Sequence, residues 1–578
     1  MRKFLTQKEL ELALEDIVQE LQEDDQIDAV YIPPEVDELT DEEDFIEDVE
    51  KNEANKNADI VGTFEIHSNE NDLYNDSDEE ILHIKRQKSL EKNQSSFHPI
   101  WKSGQFLHQN VPKSTEGNNL ETLTNLLEGL SPLEIFFKFF DDTILDLIIQ
   151  FSEKYARDYN RHDFHLSREE LLNFFAILIL SGYHRLPQTD MYWSTDVDKT
   201  VDIVRNCMSR NKFKTIKRNL HLSDNTKLDK NDRFSKLRPF FDTMNEKFLQ
   251  FDVFSFHLSI DEQMVPYFGR HSCKMYMKGK PIRFGFKLWC ICSDDGYLYK
   301  FIPYGGATQK KSDLGLGADV VFQLLSVVKS APEHDIFFDN FFSSYKLFAL
   351  LRQKGFFATG TIRENRSSGC PLVPSKSLSK QSRGSYDSQF EESNHIALVK
   401  WNDNSIVTMI STHYHVQPVT NVKRYDRKQK KQVAIPQPAI VSVYNKHIGG
   451  VDLHDNGVAN YRISVMGKKW WWPLFVNTVD STIVNCWKLY NKVNNNKISQ
   501  LDFKSYIAVR LLQLRTTVAR PLAIDAPIEL RVVQENNIGH IILKSETRRR
   551  CRVCHSQTIY KCQRCNVFLH TTCFSTYH

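Results

Sequence analysis

The feature that most constrains the fold of this chain is the order of its apolar segments between residues 256 and 362. Segment length and periodicity distinguish strands from helices here. The predicted order is three strands, beginning at Phe256 and continuing at 284–292 and 297–304, and then helix 317–328, strand 335–338, helix 344–354 and strand 357–362. Because this is the order of a ribonuclease-H-like core, the sequence predicts an α/β fold of that kind.

The first of these strands carries a pair of acids. Polar residues alternate, imperfectly, with apolar residues from His257 to Gln263, which predicts a half-buried strand with Asp261 and Glu262 at its end. Seven basic and five aromatic residues follow between 267 and 287. An acid held against a basic, aromatic surface suits a metal ion that acts on a polyanion. The alternative is a surface strand with an ordinary Asp-Glu pair.

Charge is unevenly distributed along the 578 residues. Residues 1–80 carry 28 acidic and 5 basic side chains, whereas the remaining residues carry 69 basic and 46 acidic ones. A basic body with an acidic tail suggests a nucleic-acid partner and a segment that mimics or repels it, although a merely solvated tail has the same composition. The acidic region has few aromatic residues and is predicted to be mostly disordered.

Residues 120–255 are predicted to be helical. Ser131 with Glu134 and Ser167 with Glu170 are capping-box pairs. The region would form a dimerisation or DNA-binding domain, or a simple scaffold. The predicted division of the chain is 1–119 acidic and mostly disordered, 120–255 helical, 256–366 catalytic, 367–435 insertion, 436–500 the last catalytic part, 501–545 a linker or helical segment, and 546–578 a cysteine-rich zinc domain. Two strands are predicted within the insertion, and helices are predicted near 439–456 and at 472–493.

Three acids stand out by their positions relative to the predicted elements. Asp261 follows the first strand, Asp339 follows the fourth, and Asp452 lies in the helical stretch beyond the insertion. In a ribonuclease-H-like fold these places converge at one end of the sheet. Mg²⁺ prefers carboxylate oxygens, and a pair of such ions steadies the attacking and leaving oxygens in phosphoryl transfer. A single aspartate in such a place is more often a turn or helix-cap residue, and the joint placement of the three is what favours a metal site.

Four separated motifs resemble those of the piggyBac transposases and the piggyBac-derived proteins of animal genomes. They are SIDEQMVPYFGRH, FFDNFFSS, TGTIREN and YNKHIGGVDLHD, and the likeness extends from about residue 120 to the C-terminus. It implies a cut-and-paste DNA transposase with an interrupted ribonuclease-H-like domain. Such an enzyme uses Mg²⁺ or Mn²⁺ for DNA recombination, acts on the inverted terminal repeats of double-stranded DNA, and inserts at TTAA sites.

The resemblance also implies roles for individual residues. Asp261, Asp339 and Asp452 would be the catalytic metal ligands, with Asp455 as a supporting acid. Trp472, before Pro473, matches a family tryptophan near the active site. The predicted DNA contacts within the catalytic region are Arg363 and Arg366.

The C-terminal cysteines are the strongest local signal, because five of the 11 cysteines fall in the last 28 residues. Pairs of thiolates two residues apart are typical of tetrahedral zinc sites. The eight potential ligands are Cys551, Cys554, His555, Cys562, Cys565, His570, Cys573 and His578. They allow two Zn²⁺ ions in a cross-brace, in which the first cysteine pair joins His570 and Cys573 and the second pair joins His555 and His578. One ion held by four cysteines is the simpler alternative. A reactive thiol cluster is a third possibility.

The surroundings of these cysteines suggest DNA as a partner. By resemblance this is the cysteine-rich domain that binds terminal-repeat DNA, where Arg548, Arg549 and Arg550 would contact phosphates. The basic run at 423–431 is typical of a nuclear-import signal, a DNA-backbone contact or a solvated loop.

Two classes of function compete for the whole chain. The leading hypothesis is a nuclear transposase that works as a homodimer, and the alternative is a domesticated DNA-binding protein without cleavage activity. A plain nuclease would cut without joining. No membrane partner is expected, because the longest apolar run, 174–180, is far shorter than the roughly 20 residues that span a bilayer.

Overall fold

The computed structural model describes residues 27–32, 63–68, 99–103, 116–269, 271–277, 282–306, 312–329, 331, 334–426, 430–513, 542–563 and 565–577. The chain divides into two compact units, Met1–Leu514 and Arg515–His578. Within the ranges above, no helix combines the length and the apolar character that a membrane crossing requires.

The first unit contains a helical region whose helix starts follow from local sequence. The Ser131 hydroxyl accepts a hydrogen bond from the Glu134 N–H, and the Glu134 carboxylate accepts one from the Ser131 N–H. Ser167 and Glu170 repeat this arrangement, so both predicted capping boxes are confirmed. The helices are α1 (Glu116–Leu127), α2 (Pro132–Phe139), α3 (Asp142–Asp158), α4 (Arg168–Tyr183), α5 (Asp202–Cys207), α6 (Arg210–Asn219) and α7 (Arg238–Phe248).

Beyond the helical region, the first unit is built on a mixed sheet of 12 strands. Its strands are β1 (Ile27–Ile32), β2 (Thr63–Ser68), β3 (Trp101–Lys102), β4 (His257–Pro266), β5 (Met275–Met277), β6 (Phe284–Ser293), β7 (Leu298–Pro303), β8 (Asp335–Phe338), β9 (Phe357–Thr361), β10 (Tyr386–Glu391), β11 (Ile396–Asn402) and β12 (Ile406–Ser411). A separate hairpin is formed by β13 (Thr420–Asp426) and β14 (Lys431–Gln437).

The centre of the sheet has the strand order β7–β6–β4–β8–β9. Strand β6 is antiparallel to both of its neighbours, β7 and β4, whereas β8 runs parallel to both β4 and β9. Helix α8 (Leu316–Leu325) connects β7 to β8, and α9 (Tyr345–Gln353) connects β8 to β9. The predicted succession of strands and helices from 256 to 362 is therefore observed, with the short strand β5 in addition. All ten residues of β6 are buried, as expected of a strand covered on both faces.

The insertion contributes more structure than the two strands predicted for it. A short helix, α10 (Ser375–Leu378), is followed by β10, β11 and β12, and β12 pairs antiparallel with β9. The three strands therefore extend the central sheet. The basic run at 423–431 lies on the β13–β14 hairpin, apart from residues 427–429, which lie outside the described residues.

The predicted disorder of the acidic region does not extend to β1 and β2. These two strands pair antiparallel with each other, and β1 pairs with β5 at one edge of the sheet. Each segment is a short run with β-branched or aromatic residues, IDAVYI and TFEIHS, which suits a strand locally. Average composition over the whole region conceals such short runs.

The chain returns from the insertion to the sheet through four helices. They are α11 (Ala439–His447), α12 (Gly450–Asn460), α13 (Trp472–Val493) and α14 (Gln500–Leu512). The sequence predicts one helical stretch at 439–456, but the structure divides it at Gly449. A Cβ added to Gly450 would lie 2.2 Å from the Ser293 carbonyl oxygen, so α12 begins in direct contact with the sheet where only glycine fits.

A single hydrophobic core joins the helical region to the sheet. One large cluster of buried apolar side chains extends from Leu123 to Leu512, and a second, smaller cluster lies among β11, β12, β14 and α11. Within the large cluster, the Lys504 ammonium lies 2.6 Å from the Asp480 carboxylate, and both side chains are only 2% exposed. The Lys504 ammonium also donates to the Tyr461 carbonyl, and the second Asp480 oxygen accepts the Ile463 N–H at 2.8 Å. This buried pair fixes the segment that follows α12.

The second unit is small. Strands β15 (Ile542–Arg550) and β16 (Gln557–Cys562) form an antiparallel pair, and α15 (Thr571–Tyr577) follows. Its small core contains Cys551, Cys562 and Leu569, each fully buried.

Candidate functional site

Two of the three predicted acids lie side by side on parallel strands. Ile260 of β4 pairs with Phe338, the last residue of β8. Asp261 and Asp339 are the residues that directly follow this pair. The sequence predicts Asp261 at the end of its strand, and this prediction is wrong. Strand β4 continues to Pro266 through pairing with β6. Asp261 lies where β8 ends, so the end of the neighbouring strand leaves it partly exposed.

Backbone hydrogen bonds orient both carboxylates. Oδ1 of Asp261 accepts the N–H of Glu262 at 2.8 Å, and Oδ1 of Asp339 accepts the N–H of Phe341 at 2.9 Å. Glu262 is 6% exposed and, as the next residue along a strand, points to the opposite face of the sheet from Asp261. This orientation suits a packing or hydrogen-bonding role for Glu262 more than a ligand role.

Helix α12 carries the third acid, Asp452, in its first turn. The preceding turn is fixed to β4, because the Ser259 hydroxyl donates a hydrogen bond to the Ile448 carbonyl. The close approach of Gly450 to Ser259 and Ser293 holds the start of α12 against β4 and β6. Asp452 is exposed, whereas Asp261 and Asp339 are partly buried.

The electrostatic surroundings of Tyr444, on α11, relate the three acids to one place. Burial is the largest effect on the pKa of the Tyr444 hydroxyl and raises it, whereas a hydrogen bond with Thr361 lowers it. The negative charges of Asp339, Asp261 and Asp452 raise this pKa further. All three carboxylates therefore act on the same phenol oxygen. The three acids come from distant parts of the sequence, and their convergence on one metal site stays a prediction.

Asp455 is connected to the sheet by amide side chains that the sequence did not indicate. The Gln263 Nε2 donates to Asp455 Oδ1 at 3.3 Å, and the Asn477 Nδ2 donates to Gln263 Oε1 at 3.1 Å. Gln263 and Asn477 are 1% and 3% exposed. They lie 192 and 214 positions from their partners, so no local spacing in the sequence could have indicated this relay.

Trp472 is placed in the core at the start of α13. It is 2% exposed, packs against Phe174 and Phe475, and donates its indole N–H to the Val465 carbonyl at 2.9 Å. Lys217 Nζ lies 5.8 Å from its ring centroid. The described contacts thus join Trp472 to the helical region, and its role at the active site stays a prediction.

Arg366, which directly follows the TGTIREN motif, lies next to the turn after Asp339. Arg366 donates from Nη1 to the carbonyl oxygens of Asn340, at 3.2 Å, and Phe341, at 3.0 Å. These carbonyls belong to the turn that follows Asp339. Arg366 therefore has a structural contact with the acid-bearing turn, whereas contact of Arg363 and Arg366 with DNA stays a prediction.

In the second unit, the structure brings together four of the eight predicted zinc ligands. The ligand atoms of Cys551, Cys554, His570 and Cys573 all lie within 4.8 Å of one another. This is the first ligand set of the predicted cross-brace. Among the residues that the structure describes, Cys562 and Cys565 do not belong to this group, and of the two histidines predicted to join them, His578 lies outside the described residues.

The geometry of this cluster suits a metal ion. Cys554 Sγ lies 3.2 Å from His570 Nδ1, and the His570 N–H points at Cys551 Sγ at 3.4 Å. Although burial raises the pKa of Cys551, hydrogen bonds from the backbone of Cys554, His570 and Val553 lower it to about 6. Three cysteines and one histidine form a donor set typical of structural zinc. Arg548, Arg549 and Arg550 are exposed on β15 beside it.

A family profile and two human proteins are similar to this chain. A family profile described as Transposase IS4 matches residues 131–487. The chain is 36% identical to human PiggyBac transposable element-derived protein 3 over 453 residues, which is 78% of this chain and 76% of that protein. It is 33% identical to human PiggyBac transposable element-derived protein 2 over 506 residues, or 86% and 83% of the two chains.

A solved structure shows the same fold. The cryo-EM structure of the piggyBac transposase synaptic complex with hairpin DNA matches with a TM-score of 0.58 and 20% sequence identity. The match covers 78% of this chain and 98% of that one. Together with the family profile and the human relatives, it shows that this chain belongs to the piggyBac family of transposases and transposable element-derived proteins.

Proposed function

We propose that the protein is a metal-dependent DNA transposase of the cut-and-paste type, with Asp261, Asp339 and Asp452 as the ligands of two divalent ions. The proposal is supported by the convergence of these acids through the β4–β8 register and the docking of α12 on the sheet. The strand order β7–β6–β4–β8–β9 supports a ribonuclease-H-like catalytic core. Two Mg²⁺ or Mn²⁺ ions would activate the attacking oxygen and stabilise the leaving one.

The chain itself would position the acids and hold the DNA. Backbone N–H groups orient the Asp261 and Asp339 carboxylates, and the Asn477–Gln263 relay fixes Asp455 one helical turn from Asp452. The exposed arginines at 548–550 would contact phosphates, which position the protein without reading sequence. In the second unit, Cys551, Cys554, His570 and Cys573 would hold Zn²⁺ as a structural ion.

The finer properties of the proposed enzyme come from the family resemblance. It would act in the nucleus as a homodimer on inverted terminal repeats and insert the excised DNA at TTAA sites. The solved relative is a synaptic complex with hairpin DNA, which supports double-stranded DNA ends as the substrate.

The proposal is tested by incubating the full-length protein with a duplex that carries the genomic DNA flanking its gene on both sides. In the presence of Mg²⁺ we expect nicks at the element ends and, with an added TTAA-containing plasmid, joined products. Gel electrophoresis reports cutting and joining, and an electrophoretic mobility shift on the same duplex reports binding. Binding without any cutting would refute the enzyme, and cutting without joining would indicate a plain nuclease.

The second candidate function is a DNA-binding protein without cleavage activity. It is favoured by the names of the human relatives, which are called transposable element-derived proteins rather than transposases. The same fold, the arginines of β15 and the cysteine cluster would serve this function. Binding of the flanking duplex that is indifferent to Mg²⁺, with no nicking, would support it.

Replacing Gln263 by Ala is expected to reduce strand cleavage about 10- to 100-fold, because Asp455 loses a hydrogen bond that orients it. Since Gln263 acts through Asp455, the variant should also need a higher Mg²⁺ concentration for half-maximal rate. A Mg²⁺ titration of the cleavage rate measures both effects. The exposed Gln250→Ala is the matched control, and an unchanged Mg²⁺ dependence in Gln263→Ala would rule out the positioning role.

A further inference from the structure

A second group of side chains that could bind a metal ion lies at the N-terminal end of β4. His257 is the first residue of β4, Asp294 follows β6, and His447 is the last residue of α11. Asp294 Oδ2 lies 2.6 Å from His447 Nδ1 and 3.6 Å from His257 Nδ1. One ligand atom from each residue falls within 4.8 Å of the other two. The sequence did not indicate this group, since its members come from three separate segments.

The donor set and its accessibility suit a transition-metal ion. Two imidazoles and one carboxylate favour Zn²⁺ and its neighbours over Mg²⁺, which prefers oxygen ligands. The side chains of His447, His257 and Asp294 are 6%, 23% and 28% exposed, so the group is held by the protein yet open on one side. That open side would admit the ion and a completing water molecule.

The charge around the group also favours a cation. Asp335 is in register with His257 on the parallel strand β8, and it is fully buried. Its Oδ2 lies 3.0 Å from His413 Nδ1. Asp294 therefore contacts both imidazoles, whereas Asp335, on the strand beside His257, is partnered by His413.

We propose that His257, Asp294 and His447 form a Zn²⁺ site that fastens the junction of α11 and α12 to the sheet. The site would join a residue four positions before Asp261 to a residue five positions before Asp452. It would thereby restrict the motion of α12 relative to β4 and hold those two acids at a fixed separation. The proposal goes beyond the proposed function, because metal binding at this site requires no DNA cleavage.

The present arrangement of the two rings makes a specific structural expectation. The imidazoles of His257 and His447 are stacked, with centroids 3.6 Å apart and an angle of 15° between their planes. A metal ion lies near the plane of each ring that binds it, so the rings must turn away from the stacked arrangement when Zn²⁺ binds. Without an ion, the stack and the Asp294 hydrogen bond would be a packing element only.

The first test is the zinc content of the full-length protein after dialysis against buffered Zn²⁺. His447→Gln removes one ligand, and His165→Gln is the matched control, because the His165 side chain is 83% exposed on the helical region. We expect His447→Gln to hold one ion fewer per chain than both the wild type and His165→Gln. Circular dichroism establishes that the variants are folded. Equal zinc content in all three proteins would overturn the proposal.

A second measurement uses the wild type alone and so does not depend on how a variant folds. Crystals grown with Zn²⁺ are expected to show an anomalous difference peak between His257, Asp294 and His447, with the rings turned apart. A peak at the cysteine cluster alone would overturn the proposal. Neither result depends on cutting of DNA, so this site and the transposase activity can fail independently.

Discussion

Asp339→Asn is expected to abolish excision of DNA from a plasmid that carries the flanking ends of the gene. The substitution keeps the size of the side chain and the acceptor oxygen that receives the Phe341 N–H. It removes one of the negative charges proposed to hold the divalent ions. Metal ions contribute several kcal/mol of transition-state stabilisation, so we expect at least a ~10³-fold loss of rate.

The experiment separates chemistry from folding and binding. Asp198→Asn is the matched control, because that carboxylate is exposed and lies outside the acid cluster. The control should excise like the wild type, and Asp339→Asn should still bind the DNA ends in a mobility-shift assay. If Asp339→Asn excises DNA at the wild-type rate, Asp339 is not a catalytic metal ligand and the proposed ligand set is wrong.

Lys504→Met is expected to be the most destabilising substitution in the first unit outside its apolar core, at about 3–5 kcal/mol. The Lys504–Asp480 pair is almost completely buried, and removal of the ammonium leaves the Asp480 carboxylate without its counter-charge. The Tyr461 carbonyl also loses a donor. Because Tyr461 directly follows α12, the loss should loosen the helix that carries Asp452, and cleavage should decline with stability.

Urea unfolding followed by tryptophan fluorescence measures this loss. The exposed pair of Lys329 and Asp252 provides the control, since Lys329→Met removes a similar ammonium in water and should change little. The double variant Lys504→Met/Asp480→Leu should recover part of the lost stability, because it leaves no unpaired buried charge. If Lys504→Met unfolds at the same urea concentration as the wild type, the pair does not stabilise the fold.

Local elements of this fold were predictable because their causes lie within a few residues of one another. Ser131 with Glu134 and Ser167 with Glu170 form their capping boxes from side chains three positions apart. The strands and helices from residue 256 to 362 follow from the periodicity of their own side chains. The predicted helix at 472–493 is observed with the same bounds, and its second residue is a proline.

The candidate sites were predictable only where a motif carried the information. The family motifs named Asp261, Asp339 and Asp452, and paired cysteines named the first zinc ligand set. The sequence did not indicate Gln263 and Asn477, whose hydrogen bonds join residues about 200 positions apart. Nor did it indicate the group of His257, Asp294 and His447, in which no two members are close in the chain.

The sequence by itself therefore determined the main helices and strands from residue 256 to 362, which acids are candidates for catalysis, and where the chain changes from acidic to basic. Tertiary structure alone decided that the insertion strands extend the central sheet, that β1 and β2 extend its opposite edge, and that the helix at 439–456 breaks at Gly449. The physical reason is the separation along the sequence of the residues that interact. Caps and periodicity act over a few residues, whereas strand partners, buried hydrogen bonds and the close approach of Gly450 to Ser293 depend on segments that only folding brings into contact.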